Sequence, residues 1–292
     1  MHTKNTSLPG LIAGLVAASI WGGMYVVSKV VLDVIPPFSL LALRLVLGAA
    51  SLSAVILLRG GFTLSKRDFW RTFGVGVVGY GISLGFQFVG TKLSTAANGS
   101  LVTSATPALV LPFAAMLLNE PITLRRLAAI VVASLGVLAV IDPRTANLSS
   151  DLFWGNLSLL AAALTWALYS VLVRKVSQGI DLLQASTIML IGGLPTSLAF
   201  SVWEIQTSGI GTITPGVIGG VLFLGIISTA IAMFLWNYAF AKLPAAAASL
   251  TFFAQPVVGT LLGWFFLGEQ ITALFMLGGL LIGLGIIISN EK

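Results

Sequence analysis

The sequence predicts an all-α integral membrane protein of ten transmembrane helices, laid out as two inverted five-helix repeats around a central cavity. Three observations predict it: a near-absence of charge, long unbroken apolar runs, and self-similarity at an offset close to half the chain. Of 292 residues, 8% are charged and 57% are hydrophobic, and the mean hydropathy is +1.04. A water-soluble domain carries about 25% charged residues. Without that polar shell the chain would aggregate in water, so its solvent is largely lipid. Backbone exposed to lipid must satisfy its own hydrogen bonds, which leaves helices or closed barrels. Barrel strands alternate in polarity over about ten residues. Runs such as Leu277–Ile288 do not alternate, so the spans are helices.

A helical span takes roughly 20 apolar residues. Along the chain the spans fall at 8–32, 38–58, 70–91, 95–118, 123–141, 152–174, 182–203, 216–240, 245–267 and 271–289. Pro, Gly and charged residues punctuate the gaps, as in Pro36-Pro37, Arg59-Gly60-Gly61, Asp142-Pro143 and Gly209–Pro215. Lys4 ahead of Leu8–Ser19 imitates a signal peptide. The apolar stretch nevertheless runs on to Val31 with no strongly polar interruption before Lys29, which reads as an uncleaved first span. With the N-terminus in the cytoplasm, eleven basic residues face that side: Lys4, Arg59, Lys66, Arg67, Arg71, Arg125, Arg126, Arg174, Lys175, Lys242 and Lys292. Four face the other: Lys29, Arg44, Lys92 and Arg144. Basic residues favour the cytoplasmic side, so both termini are expected there.

The two halves, 8–142 and 152–290, resemble each other. Ala18-Ser19-Ile20-Trp21 matches Leu164-Thr165-Trp166 at an offset of 145. Gln87-Phe88 and Lys92-Leu93 match Asn237-Tyr238 and Lys242-Leu243 at 150, while Ser100, Pro107, Glu120 and Thr123 match Ser249, Pro256, Glu269 and Thr272 at 149. Ordered matches through each half mark a duplication. Five spans is an odd number, so the second half enters from the opposite face. Inverted repeats place a substrate site near the midplane, at the interface between them.

These features resemble a known family. The tryptophan in the first span of each half, Arg44 after Pro37, and the turns Leu118-Asn119-Glu120-Pro121-Ile122-Thr123 and Leu267-Gly268-Glu269-Gln270-Ile271-Thr272 carry the resemblance, with Ala96-Ala97-Asn98 and Ala246-Ala247-Ala248-Ser249. They resemble the two EamA repeats of the ten-span drug/metabolite transporter superfamily, and are most similar to its YddG-type amino-acid exporters. The resemblance implies a basket of helices around a cavity, with the fifth and tenth spans peripheral. It also implies export of amino acids or similar metabolites across a bacterial inner membrane.

Candidate substrate-binding residues follow from polarity inside the spans. Trp21 and Tyr25 are four apart and share a helical face, and Trp166 with Tyr169 occupies the matching place in the second half. Deep in their spans, these rings line a cavity or pack the core. Tyr80, Gln87, Asn98, Asn237 and Gln255 carry hydrogen-bonding groups within spans. A buried amide needs a partner, so each bonds a neighbouring helix or faces substrate. Pro107 and Pro256 sit mid-span at equivalent places; a proline there kinks a helix, for gating or for static packing. Glu120 and Glu269 read as turn residues, each three before a threonine able to cap the next helix. Arg44 is expected to snorkel or to bond carbonyls between helices, with a substrate carboxylate as the minor alternative.

Absences narrow the function. Asp33, Asp68, Asp142, Asp151, Asp181, Glu204 and Glu291 all read as connector or end residues. A proton antiporter for cations uses a membrane-embedded carboxylate, and small four-span multidrug exporters carry a glutamate where this chain has Trp21-Gly22-Gly23. Cysteine is absent and the one histidine is His2, so no catalytic set, metal site or cofactor is expected, and an intramembrane enzyme has nothing to work with. The net charge of +6 orients helices and implies no nucleic-acid partner. The expected partners are the bilayer and a neutral or zwitterionic small molecule, carried by alternating access with little or no coupling. Proton-coupled export of drugs or other metabolites is the alternative, and an oligomeric pore or non-transporting protein the lesser one.

Overall fold

The computed structural model describes residues 7–93, 106–141, 153–267 and 273–290, which form ten helical rods and no strand. These are α1 (Ser7–Leu32), α2 (Pro37–Leu58), α3 (Lys66–Leu93), α4 (Thr106–Leu118), α5 (Leu124–Ile141), α6 (Phe153–Val176), α7 (Leu182–Ser208), α8 (Pro215–Lys242), α9 (245–267) and α10 (Ala273–Asn290). Five of them, α2, α3, α6, α7 and α8, are long and apolar enough to cross a membrane. Polar residues fix the ends. Ser65 accepts the amide of Asp68 at 3.1 Å, Thr123 that of Arg126 at 3.2 Å, Asp181 that of Gln184 at 2.9 Å and Thr214 that of Val217 at 3.3 Å. Each satisfies one orphan amide of a first helical turn. After α4 the chain reverses on Asn119 in the left-handed region (φ 55°), which Asn tolerates.

Helices of one half pack chiefly against helices of the other: α1 against α8 and α9, α2 against α7, α3 and α4 against α6. One large apolar core fills that seam, running from Trp21 and Leu45 through Tyr80 to Tyr169 and Trp236. A smaller cluster around Ala129, Ala133 and Ile282 joins α5 to α10, as expected for a peripheral fifth and tenth helix. The duplication also shows in the backbone. α3 and α8 both run 28 residues, and each contains a π-helical stretch, Val77–Ser83 and Phe223–Ile231.

Two boundaries differ from expectation by about a helical turn or more. α3 starts at Lys66 instead of 70, because Ser65 caps it there. α7 runs to Ser208 instead of 203, and this corrects the reading of Glu204 as a connector residue. Glu204 lies in the last turns of α7, 7% exposed. Its Oε2 accepts the amides of Phe38 (2.8 Å) and Ser39 (3.0 Å) and the Ser39 hydroxyl (3.3 Å). Pro36, which precedes α2, has no side chain able to cap, so a carboxylate from the other repeat performs that task at the positive end of α2.

Candidate functional site

The site is built around the two widened turns. A π turn breaks the regular α-helical ladder, and in α8 the carbonyls of Leu224 and Ser228 take side-chain donors from α1 and α2. Trp21 Nε1 donates to Ser228 O at 3.0 Å. Arg44, wholly buried, donates from Nε to Leu224 O (3.3 Å) and Thr229 Oγ1 (3.1 Å), and from Nη2 to Ser228 Oγ (3.2 Å) and Met24 Sδ (3.5 Å). The Phe88 ring covers its guanidinium at 5.0 Å. Arg44 therefore bonds between helices, one of its two expected behaviours, and does not snorkel.

Four helices each send a ring into one cluster. Trp21 of α1 lies 5.7 Å from Trp166 of α6 and 5.3 Å from Trp236 of α8, and Phe252 of α9 lies 5.5 Å from Trp236. Beside the cluster is a cavity of about 30 Å³, lined by Trp21, Met24, Ser83, Leu84, Gln87, Thr106, Ala162, Ala163, Trp166, Met233, Phe252 and Gln255. That volume holds about one water. Three polar atoms of the wall, Trp166 Nε1, Gln255 Oε1 and Thr106 Oγ1, are buried with no hydrogen-bond partner among the described residues. An unmatched buried group costs roughly 1–3 kcal/mol, so three at one cavity work against stability. Gln255 is brought here by a close backbone approach. A Cβ on Gly22 would stand 2.8 Å from Gln255 O and 3.0 Å from Gly259 N, so α1 and α9 touch only because residue 22 has no side chain.

A second polar group sits beside the cavity without lining it. Tyr80 and Tyr169 oxygens are 2.5 Å apart, Tyr169 Oη is 2.7 Å from Asn237 Oδ1, and Asn237 Nδ2 is 3.3 Å from Tyr80 Oη and 3.1 Å from Ser186 Oγ. Asn237 Oδ1 only accepts, so the Tyr169 proton points to it. Tyr80 then donates to Tyr169 and accepts from Asn237, closing a ring of three bonds. All three side chains are fully buried. Gly79 makes room: a Cβ there would stand 2.2 Å from the Tyr169 ring.

At the far end of the inter-repeat seam from Glu204, Glu120 bridges the halves. Its Oε1 accepts the Ala245 amide at 3.0 Å and lies 3.1 Å from Arg174 Nε, and its Oε2 lies 3.3 Å from Arg126 Nη1. Arg174 also donates to Phe240 O (3.2 Å) and to Leu243 O. The expected capping by Thr123 is present. Glu120 itself caps the start of α9.

Of the candidate residues, Trp21, Gln87, Trp166 and Gln255 line the cavity. Tyr80, Tyr169 and Asn237 are joined to one another instead, because three helices bring their polar ends together. The side chain of Tyr25, and all of Asn98 and Glu269, lie outside the described residues. Pro107 is the second residue of the described part of α4, whose interior proline is Pro112. Pro256 follows a 3₁₀ turn, Thr251–Phe253. Its ring would clash with the carbonyl four residues back, and the tighter turn re-routes that carbonyl. Trp236, Phe252, Met24 and Thr106 were not among the candidates. Trp236 was signalled by its place beside Asn237 deep in a span, whereas Met24 and Phe252 look like any core residue.

The uncharacterized transporter YoaV of Bacillus subtilis is 26% identical over 289 residues, covering 96% of each chain. An uncharacterized transporter of Archaeoglobus fulgidus is 28% identical, covering 93% of this chain and 95% of that one. A solved crystal structure shares the fold with a TM-score of 0.80 at 22% identity, over 96% of each chain. The EamA-like transporter family matches residues 8–141 and again 153–290. With its double match, its helical basket and its inter-repeat seam, this chain belongs to the EamA-like transporter family.

Proposed function

We propose that the chain exports neutral or zwitterionic metabolites, amino acids foremost, across a bacterial inner membrane by alternating access. On this reading ten spans bring both termini to one side, and the excess of basic residues on that side supports the cytoplasm. The observation that carries this reading is the unmatched polar set at the cavity. Trp166 offers a lone donor, Gln255 a lone acceptor, and Thr106 a hydroxyl that does either. A ligand that carries both a donor and an acceptor group, as a zwitterion does, complements all three. The surrounding rings and methionines suit an apolar side chain. A cavity of about 30 Å³ is too small for an amino acid, so loading requires the inter-repeat seam to part at one end and then the other. Glu204 and Glu120, one at each end, bridge the repeats and act as latches. The 3₁₀ turn before Pro256 is the bending point of α9, and Pro107 its counterpart in α4.

Proton coupling is not favoured. The buried carboxylate of Glu204 is engaged as a helix cap, accepting the Phe38 and Ser39 amides and the Ser39 hydroxyl, and it does not line the cavity. The test is counterflow in proteoliposomes with a panel of amino acids, sugars and nucleosides, with and without a pH gradient. Saturable, trans-stimulated flux of a zwitterion that ignores the gradient is expected. Strict proton dependence refutes the uncoupled reading, and non-saturating flux without trans-stimulation replaces the carrier with a pore.

A further inference from the structure

Arg44 is a whole positive charge with no carboxylate in ion-pair distance among the described residues. It is wholly buried. A guanidinium carries five N–H donors in a planar fork. The single Nε proton is shared by Leu224 O and Thr229 Oγ1, and Nη2 meets the Ser228 hydroxyl and a thioether sulfur. Thioether sulfur is a weak acceptor. Nη1 has no hydrogen-bond partner among the described residues. An arginine that served only to staple α1, α2 and α8 has no use for the unpaired Nη1, and its charge brings a desolvation cost that no carboxylate among the described residues offsets.

Two links tie this charge to the cavity. Met24, whose sulfur covers Nη2, lines the cavity. Ser228 is shared: its hydroxyl accepts from Arg44 and its carbonyl from the cavity-lining Trp21. Met24 is unbranched and flexible, the kind of side chain that moves aside at low cost. We propose that Arg44 is a receptor for the carboxylate of the transported solute, with Met24 as the movable shield between guanidinium and cavity. This rests on the reading of the cavity as a substrate site. It adds a charged contact to the otherwise neutral wall, and planar guanidinium–carboxylate pairing supplies selectivity for acids over their amides.

Binding of a matched pair, phenylacetate and phenylacetamide, to the purified full chain tests this through thermal stabilisation and tryptophan fluorescence. Phenylacetate is expected to bind at least tenfold more tightly. Arg44→Gln removes that preference, and Arg44→Lys keeps part of it. Equal affinities in the wild type, or an undiminished preference in Arg44→Gln, overturn the proposal. So does chloride that stabilises the chain while phenylacetate does not, which assigns Arg44 to an inorganic anion. If Arg44→Gln does not fold, Met24→Ala decides. Loss of the shield is expected to raise the ratio of phenylacetate to phenylacetamide affinity at least threefold, and an unchanged or lower ratio overturns the proposal. None of these readouts requires transport. Absence of counterflow would therefore sink the carrier reading alone.

Discussion

Tyr169→Phe separates a scaffold role from a ligand role for the Tyr80–Tyr169–Asn237 ring. The substitution keeps the Tyr169 ring against Trp166, 4.8 Å away. It removes the two bonds that Tyr169 Oη makes, to Tyr80 and to Asn237, and leaves Asn237 Oδ1 buried and unpaired. A net bond is worth about 1 kcal/mol, and an orphaned acceptor costs about 1–3 kcal/mol. Polar bonds inside membrane proteins average nearer 0.6 kcal/mol, so a loss of about 2 kcal/mol is expected. Tyr80→Phe removes two bonds of the same ring, one of them shared with Tyr169. The double variant loses three bonds, not four, so its destabilisation should fall short of the sum by about 1 kcal/mol. Reversible unfolding in mixed micelles with rising detergent fraction measures the stabilities, and counterflow measures KM. Because the ring does not line the cavity, KM for the transported solute should stay within about twofold, under 0.5 kcal/mol. Additive single effects would break the closed-ring assignment. A tenfold rise in KM with unchanged stability would return Tyr169 to the substrate.

Three further outcomes follow from the same geometry. Trp166→Phe removes a donor that no described residue accepts; it should leave stability intact and raise KM about tenfold, the equivalent of about 1.4 kcal/mol, in the counterflow assay. Gly79→Ala places a Cβ 2.2 Å from the Tyr169 ring and should cost about 1–3 kcal/mol by overpacking, read by the same unfolding titration. Glu120→Gln keeps an acceptor for the Ala245 amide but loses the ion pairs to Arg174 and Arg126. These pairs are partly exposed, so the stability loss should be about 1 kcal/mol or less. A cysteine introduced at 245 in this cysteine-free chain should then be labelled faster by a polar maleimide, and unchanged labelling would remove Glu120 from the latch.

Much of the architecture was legible because it depends on local properties. Apolar run length sets where helices lie, and the starts of α2, α5, α7 and α8 fall within a residue of their expected places. Each of these starts carries a proline or a capping side chain that acts within three residues. The duplicated order of Trp, Pro, Glu and Thr fixed the repeat. For Trp21, Gln87, Trp166 and Gln255 the sequence left open a cavity or a packing role, because polarity and size deep in a span serve both, and their place on the cavity wall came from the structure.

Partner choice was not legible. Arg44 finds its acceptors 180 to 185 positions away in α8, and Glu204 caps a helix 165 positions earlier. Tyr80, Tyr169 and Asn237 read as three separate candidates until α3, α6 and α8 met. The sequence by itself determined the helices, their duplication and the rarity of charge, because hydrophobic length and end chemistry act over a few residues. Only the tertiary structure decided which polar atoms face one another and which face the cavity, because hydrogen bonds act over about 3 Å and the helices that meet at that distance are set by packing across the whole chain.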